Sequence, residues 1–209
     1  MQDINIFPTT LGVDFINLEK HLPIIHNWIN KNKFSVNDKS NNLKHYQDNP
    51  ILEFSKLKLL KQDIEQKANI FYNELLGFKE ELYISDSWLN VCQKGGFQPD
   101  HYHTNCVVSG TLYIEINELS PRLKFKNPRL LSYPFTPEIK CEMGLQTPYN
   151  SLWNSIGNLT NGSIIYWPSY LVHGYDENLS DKNRISISFN LNIKTSKFRY
   201  KNPFQNLWQ

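Results

Sequence analysis

The chain has 209 residues, of which 40% are hydrophobic and 13% aromatic, and its formal net charge at pH 7 is +2. This length fits one domain with a substantial core, and the aromatic content excludes a disordered chain. The small net charge gives no support for nucleic acid as a partner, and no run of about 18 apolar residues predicts a membrane span.

The cysteine pattern and the first residues indicate a cytoplasmic protein. Cys92, Cys106 and Cys141 are odd in number and form no CxxC motif, which is typical of reduced thiols rather than of a disulfide framework or a zinc knuckle. The first residues contain no basic segment followed by an apolar stretch, so no signal peptide is predicted. The sequence leaves the oligomeric state open.

The first third of the chain is predicted to be helical. Apolar residues recur near helical spacing over residues 15–29 and again over residues 51–78, where Gly77 stands at the position of a helix C-cap. The polar stretch at residues 30–49 is predicted to be a surface connection. These helices are interpreted as outer packing for a sheet.

From about residue 82 the apolar pattern becomes strand-like. Turn residues separate five candidate strands, which span residues 82–92, 106–116, 123–125, 163–167 and 185–193. Helices followed by strands, without βαβ alternation, predict an α+β, mainly β fold in which helices pack on an antiparallel sandwich or jelly roll.

One domain is predicted over residues 1–209. Its parts are a helical support region at residues 1–80, a jelly-roll catalytic core at residues 81–195 and a C-terminal extension at residues 196–209. The stretch at residues 127–161 is a long insert rich in proline and aromatic residues, and inserts of that kind often cover active sites.

A histidine pair and a third, distant histidine are the first candidates for chemistry. In an extended strand, His101 and His103 project to the same face, and His173 follows another apolar strand far along the chain. Imidazole suits iron, zinc, copper and nickel, and a face of three ligands leaves coordination positions open for substrate and oxygen. This pattern predicts a mononuclear metal centre.

An arginine strand completes the pattern. From Arg184 to Asn190 polar and apolar residues alternate, so Arg184, Ser186 and Ser188 share one strand face. An inward arginine with a hydroxyl two residues on could hold a carboxylate through charge-assisted hydrogen bonds. The set therefore favours an oxygenase site with iron and an acidic co-substrate.

The same histidines and the same arginine also have purely structural explanations. An isolated His-x-His is most often a pair of polar surface residues, and a lone histidine beside apolar residues is most often structural. An alternating strand with an arginine also suits a solvated outer face. The order and spacing of the four groups favour the common site.

The ordered set resembles the 2-oxoglutarate- and Fe(II)-dependent oxygenases, and in particular the small oxygenases of marine bacteria and phages. The resemblance covers roughly residues 82–193, together with the opening stretch at residues 6–9. The matching stretches are residues 88–90, 95–96, 101–103, 109–113, 162–169, 173 and 184–190. The resemblance implies a double-stranded β-helix, which is the cupin-like jelly roll, with the N-terminal helices packed on the sheet.

The resemblance also implies cofactors and residue roles. Fe(II) is expected at His101, His103 and His173, with 2-oxoglutarate as co-substrate and O₂ as oxidant. The distal carboxylate of 2-oxoglutarate is expected at Arg184 with Ser186. Asn90 and Tyr113 are further candidates for its other end, near the 1-carboxylate.

One position departs from the wider superfamily, which has a carboxylate where this chain has His103. Three neutral imidazoles leave the site at +2 instead of +1, which still favours a dianionic co-substrate. The expected reaction converts 2-oxoglutarate to succinate and CO₂ while a small molecule or a protein side chain is hydroxylated. The alternatives are a three-histidine cupin-type dioxygenase that does not use 2-oxoglutarate and a non-catalytic jelly-roll binding module.

Overall fold

A computed structural model describes residues 7–46, 50–129, 147 and 150–194 of the chain. The predicted C-terminal extension at residues 196–209, Cys141 and much of the predicted insert at residues 127–161 lie outside the described residues. No described helix has the length and hydropathy needed to cross a membrane.

Two α-helices, α1 (Leu22–Lys31) and α2 (Lys58–Ile70), form in the first third of the chain. Two short 3₁₀ turns, Ile51–Glu53 and Ser55–Leu57, precede α2, and one π turn, Phe71–Leu75, follows it. Gly77 adopts a φ of +79°, the left-handed conformation expected of a helix C-cap glycine. The apolar residues of α2 recur every fourth position and are buried: Leu60, Ile64 and Ala68.

Eleven strands are described: β1 (Gly12–Phe15), β2 (Ser35–Asn37), β3 (Ser40–Tyr46), β4 (Leu82–Cys92), β5 (Gln98–His101), β6 (Val108–Glu115), β7 (Lys124–Lys126), β8 (Trp153–Ser155), β9 (Ser163–Pro168), β10 (His173–Tyr175) and β11 (Arg184–Ile193). All five strands predicted from the sequence are present, within two residues at each end.

The strands form two antiparallel sheets. The larger sheet has seven strands in the order β1-β9-β6-β11-β4-β3-β2, and the smaller has four in the order β5-β10-β7-β8. Two helices beside such sheets confirm the predicted mainly β jelly roll, the double-stranded β-helix fold.

Residues 7–46 and 50–80 are less helical than the sequence pattern predicts. The polar stretch at residues 30–49 contains β2 and β3, and β3 pairs with β4 through the register Leu43↔Cys92. Residues 12–15 form β1 on the opposite edge of the same sheet, so the first helix begins only at Leu22. The prediction failed because β2 is an exposed edge strand and because the buried residues of β3 include the polar Ser40 and His45, which hide the apolar period.

The large sheet has a different environment on each face. The apolar residues of β11, Ile185, Ile187, Phe189 and Leu191, pack in one core with residues of both helices. The alternate residues, beginning with Arg184 and Ser186, point towards the small sheet. The predicted alternation of β11 is therefore real, and its polar face lines the space between the sheets.

Candidate metal centre and co-substrate pocket

Three histidines meet between the two sheets. His101 ends β5 and His173 begins β10, and these residues are opposite each other in the ladder, with ring centroids 4.4 Å apart. His103 lies two residues beyond β5, where its backbone N–H donates to the Ser169 carbonyl at 3.1 Å. Its ring centroid is 5.2 Å from that of His101 and 5.1 Å from that of His173. One nitrogen from each ring lies within 4.8 Å of the others.

The hydrogen bonds of the three imidazoles select one tautomer for each. Nδ1 of His101 contacts the Pro99 carbonyl at 2.9 Å, and Nδ1 of His173 contacts the Leu171 carbonyl at 2.8 Å. Nδ1 of His103 contacts Oδ1 of Asn190 at 2.7 Å. Because these oxygens only accept hydrogen bonds, each Nδ1 carries the proton and each Nε2 keeps its lone pair.

The free nitrogens are suited to a metal ion. Nε2 of His103 is buried and has no hydrogen-bond partner among the described residues. A buried nitrogen without a partner carries a free-energy cost that a metal ligand bond would remove. Neutral imidazole with its other nitrogen hydrogen-bonded to oxygen is the usual state of a metal-binding histidine.

Burial favours the neutral form of His103 and His173. Burial and the neighbouring His101 lower the pKa of His173 to about 3, and the same two causes lower the pKa of His103. Low dielectric disfavours the imidazolium form, and a second imidazolium nearby would be repelled. His103 and His173 are therefore neutral at neutral pH, as metal binding requires.

The predicted arginine is at the deep end of the same space. Arg184 is 1% exposed, and its guanidinium donates from Nε to the Pro121 carbonyl at 3.1 Å and from one terminal nitrogen to Ser186 Oγ at 3.0 Å. Its central carbon lies 4.2 Å from the ring centre of Tyr175 and 4.9 Å from that of Tyr113. No carboxylate of the described residues pairs with this buried cation. An unpaired buried charge is costly, so an anionic ligand is expected there.

Tyr175 is a second group at this end that the sequence did not reveal. Its hydroxyl is buried and has no hydrogen-bond partner among the described residues. Burial raises the pKa of this phenol, so the hydroxyl remains a neutral donor. Its strand, β10, is only three residues long, so no alternating pattern predicts which face of the sheet the Tyr175 side chain occupies.

Asn90 and Tyr113 have different positions. Asn90 lines the pocket, where its Nδ2 donates to Ser188 Oγ at 3.0 Å and its Oδ1 accepts from His45 Nδ1 at 2.7 Å. Tyr113 lies at the arginine end, and its hydroxyl accepts the Leu123 N–H at 3.4 Å. His45 and Asn190 are polar partners that the sequence analysis missed, since their contacts depend on the register between distant strands.

A comparison with protein families identifies the class. The family described as "Putative 2OG-Fe(II) oxygenase" matches residues 86–190, which is half of the chain and includes all three histidines and Arg184. The chain belongs to this family. It is therefore an oxygenase that uses Fe(II) and 2-oxoglutarate, with O₂ as co-substrate, and the predicted enzyme class and cofactors are confirmed.

Solved structures support the fold. HygX from Streptomyces hygroscopicus, with nickel and 2-oxoglutarate bound, has a TM-score of 0.61 and 12% identity, and the match covers 88% of this chain and 83% of HygX. A prolyl-4-hydroxylase from Pseudomonas putida has a TM-score of 0.57 and 10% identity over 87% of this chain and 92% of that one. The carbocyclase SnoK from nogalamycin biosynthesis has a TM-score of 0.64 and 9% identity, and the match covers 88% of this chain and 79% of SnoK. No curated protein matches the chain.

Proposed function

We propose that this oxygenase hydroxylates a small molecule or a protein side chain at a centre held by His101, His103 and His173. The observation that carries the proposal is the convergence of three Nε2 lone pairs, each fixed by a hydrogen bond at Nδ1. Three nitrogen ligands on one side of an ion would leave the other side open to co-substrate and oxygen.

The bound iron would supply activation of O₂, and the overall reaction balances with 2-oxoglutarate as the reductant. One oxygen atom enters a C–H bond of the substrate to give C–OH, and the other enters succinate as 2-oxoglutarate loses CO₂. The share of the protein is to hold the co-substrate, exclude water and present one C–H bond of the substrate to the centre.

Arg184, Ser186 and Tyr175 are proposed to bind the distal carboxylate of 2-oxoglutarate. Within the described part of the chain, the buried guanidinium has no counter-ion, and Tyr175, whose ring packs against it, has a hydroxyl without a hydrogen-bond partner. Charge-assisted hydrogen bonds from such a pair are strong because water does not compete for them.

The other end of the co-substrate points towards the histidines. Asn90 is the remaining candidate for contact with the 1-carboxylate, because it lines the pocket between Arg184 and His103. Tyr113 was expected at the same end, but its ring packs beside the Arg184 guanidinium. We therefore propose that Tyr113 orients the arginine instead of meeting the 1-carboxylate.

The test is to add Fe(II) and then 2-oxoglutarate under anaerobic conditions and to measure the weak visible charge-transfer band of the chelate. We expect Arg184→Ala to weaken the binding of 2-oxoglutarate at least about a hundredfold, because two charge-assisted hydrogen bonds are lost. The affinity for iron should change little. Retained iron affinity also shows that the variant is folded.

Lys182→Ala is the matched control because it removes the same charge from an exposed residue just before β11. It should leave both affinities unchanged. Equal affinity of wild type and Arg184→Ala for 2-oxoglutarate would refute the arginine's role, and iron-loaded protein without the band would refute chelation at this centre.

A further inference from the structure

A second, larger cavity opens on the outer side of the histidine cluster. Its volume is about 720 Å³, within the range of small-molecule sites. Trp88, Gln98, His101 and His103 line both this cavity and the inner pocket that contains Arg184. A molecule in the outer cavity would thus contact the candidate metal centre from the side opposite the arginine.

The charges that line the outer cavity are all negative. Asp38 and Asp86 contribute carboxylates, and the described lining contains no lysine or arginine, although the whole chain has a net charge of +2. Neither carboxylate forms a salt bridge with a described residue. The remaining polar groups are hydroxyls, amides and histidines.

The strand registers place Asp86 and Arg184 at opposite ends of the site. On β4, Asp86, Trp88 and Asn90 share one face, and they run from exposed through half-buried to buried. Asp86 is opposite Asn190 in the ladder with β11, and Asn190 holds the His103 ring. Six residues earlier on β11 is Arg184, so the cation and the carboxylate are about 20 Å apart along the sheet.

We propose that the primary substrate is an organic cation, an amine or a guanidinium, that binds in the outer cavity with its charge near Asp38 and Asp86. This inference rests on the proposed function, because the substrate's C–H bond must face the histidine cluster. Trp88, which lies between Asp86 and Asn90 on the same strand face, adds an aromatic surface that favours cations. Polar hydroxyl and amide groups of the substrate would meet the amides of Asn37, Gln98 and Asn105.

The separation of charge also explains how two ligands avoid each other's sites. Dianionic 2-oxoglutarate is attracted to Arg184 and repelled by the two aspartates, whereas a cation has the opposite preference. Both aspartates are exposed, so each contributes modestly, and the preference for a cation should reach about fivefold to tenfold in affinity.

The test compares two probes that differ only in charge, Nα-acetyl-arginine amide and Nα-acetyl-citrulline amide. Each is titrated calorimetrically into the protein loaded with redox-inert Ni(II) and 2-oxoglutarate. We expect the arginine probe to bind about fivefold to tenfold more tightly, and the ratio to shrink as NaCl rises from about 0.05 to 0.3 M. Free arginine and citrulline form a second pair of probes. Tighter binding of free arginine would indicate a metabolite substrate, and tighter binding of the capped arginine would indicate a protein side chain.

The variant Asp38→Asn/Asp86→Asn should reduce the ratio to about one, since its side chains keep their shape and lose their charge. Asp63→Asn on α2 removes an exposed carboxylate far from the cavity and should keep the wild-type ratio. Equal binding of the paired probes, no binding at millimolar concentration, or a ratio that the double variant preserves would overturn the inference. Iron- and 2-oxoglutarate-dependent succinate formation in the same preparations tests the proposed function separately.

Discussion

Each imidazole of the histidine cluster is oriented by an oxygen acceptor, which is local in sequence for two histidines and distant for the third. His101 and His173 use backbone carbonyls two residues earlier, so their acceptors come with the local chain. His103 instead uses the side chain of Asn190 on β11. Asn190 Oδ1 also accepts the Ser109 hydroxyl at 3.0 Å, which fixes the amide so that its oxygen faces the ring.

Asn190→Ala should therefore weaken metal binding without removing a ligand. The His103 ring would lose the acceptor that keeps the proton on Nδ1, and losses of such partners reduce metal affinity by about 10- to 100-fold. The measurement is the dissociation constant for Fe(II) or Ni(II) in the absence of 2-oxoglutarate. Asn190→Asp retains the acceptor and should restore most of the affinity.

Asn192→Ala provides the control for that experiment. Asn192 is on the same strand and contacts Ser85 and the Asn105 carbonyl instead of a histidine. Its substitution should leave metal affinity unchanged. If Asn190→Ala binds metal as tightly as wild type, the orientation of His103 does not depend on this hydrogen bond.

At the scale of elements, sequence patterns predicted the long central strands and the short β7, but missed the other short strands. β4 and β11 are 11 and 10 residues long, so their apolar alternation extends over enough positions to be recognised. β10 has three residues and β5 has four, and both exist because they pair with each other and, for β10, with β7. Pairing between segments about 70 residues apart leaves no local pattern.

The same distinction applies to the candidate site. His101, His103, His173 and Arg184 could be singled out from the sequence because their side chains have distinctive chemistry. Asn190, His45 and Tyr175 could not, because an amide or a phenol acquires its role only from the register that places it opposite a partner. His45, for example, contacts Asn90 across the β3–β4 ladder, from a segment whose polar composition resembled a surface connection.

The β6 strand gives a prediction for the sheet itself. Gly110 is opposite Phe189 of β11 and Tyr166 of β9, and a Cβ at this position would collide with the Phe189 ring and crowd the Ile165 carbonyl oxygen. Phe189 is fully buried, so its ring has little space to move. Gly110→Ala should lower the free energy of unfolding by about 1–3 kcal/mol, measured by urea denaturation.

Gly157→Ala is the control for overpacking, because no atom lies within 4 Å of a Cβ built there. It should be neutral or slightly stabilising, since alanine reduces the entropy of the unfolded chain. Equal stability of Gly110→Ala and wild type would mean that the sheet can move apart at β6 without cost.

At the scale of the whole molecule, the fold separates an apolar core from a mixed one, in which polar groups stand among buried aromatic and aliphatic side chains. One core, between the helices and the large sheet, contains buried apolar side chains such as Ile64 and Leu112. Between the two sheets are polar groups that need partners, including the buried Arg184 and His173 and the half-buried His101 and His103. Burial of these polar groups opposes folding unless they are satisfied, so the protein gives up some stability for the site.

This cost predicts how the stability of the metal-free protein depends on pH. His173 has a pKa of about 3 in the folded state, against an ordinary value of 6.5, and burial lowers the pKa of His103 and His45 as well. Between pH 3 and pH 6.5 the unfolded chain binds more protons at His173 than the folded chain does, so acidification favours unfolding. The stability present above pH 6.5 is lost progressively as the pH falls towards 3.

We expect the free energy of unfolding to fall by about 2 kcal/mol from His173 alone between pH 7 and pH 5, measured by urea denaturation of metal-free protein. Ordinary carboxylates contribute little in this window because most of them titrate below it. His173→Asn removes the buried imidazole and should flatten the dependence. Stability that is constant from pH 7 to pH 5 would contradict the burial of neutral histidines between the sheets.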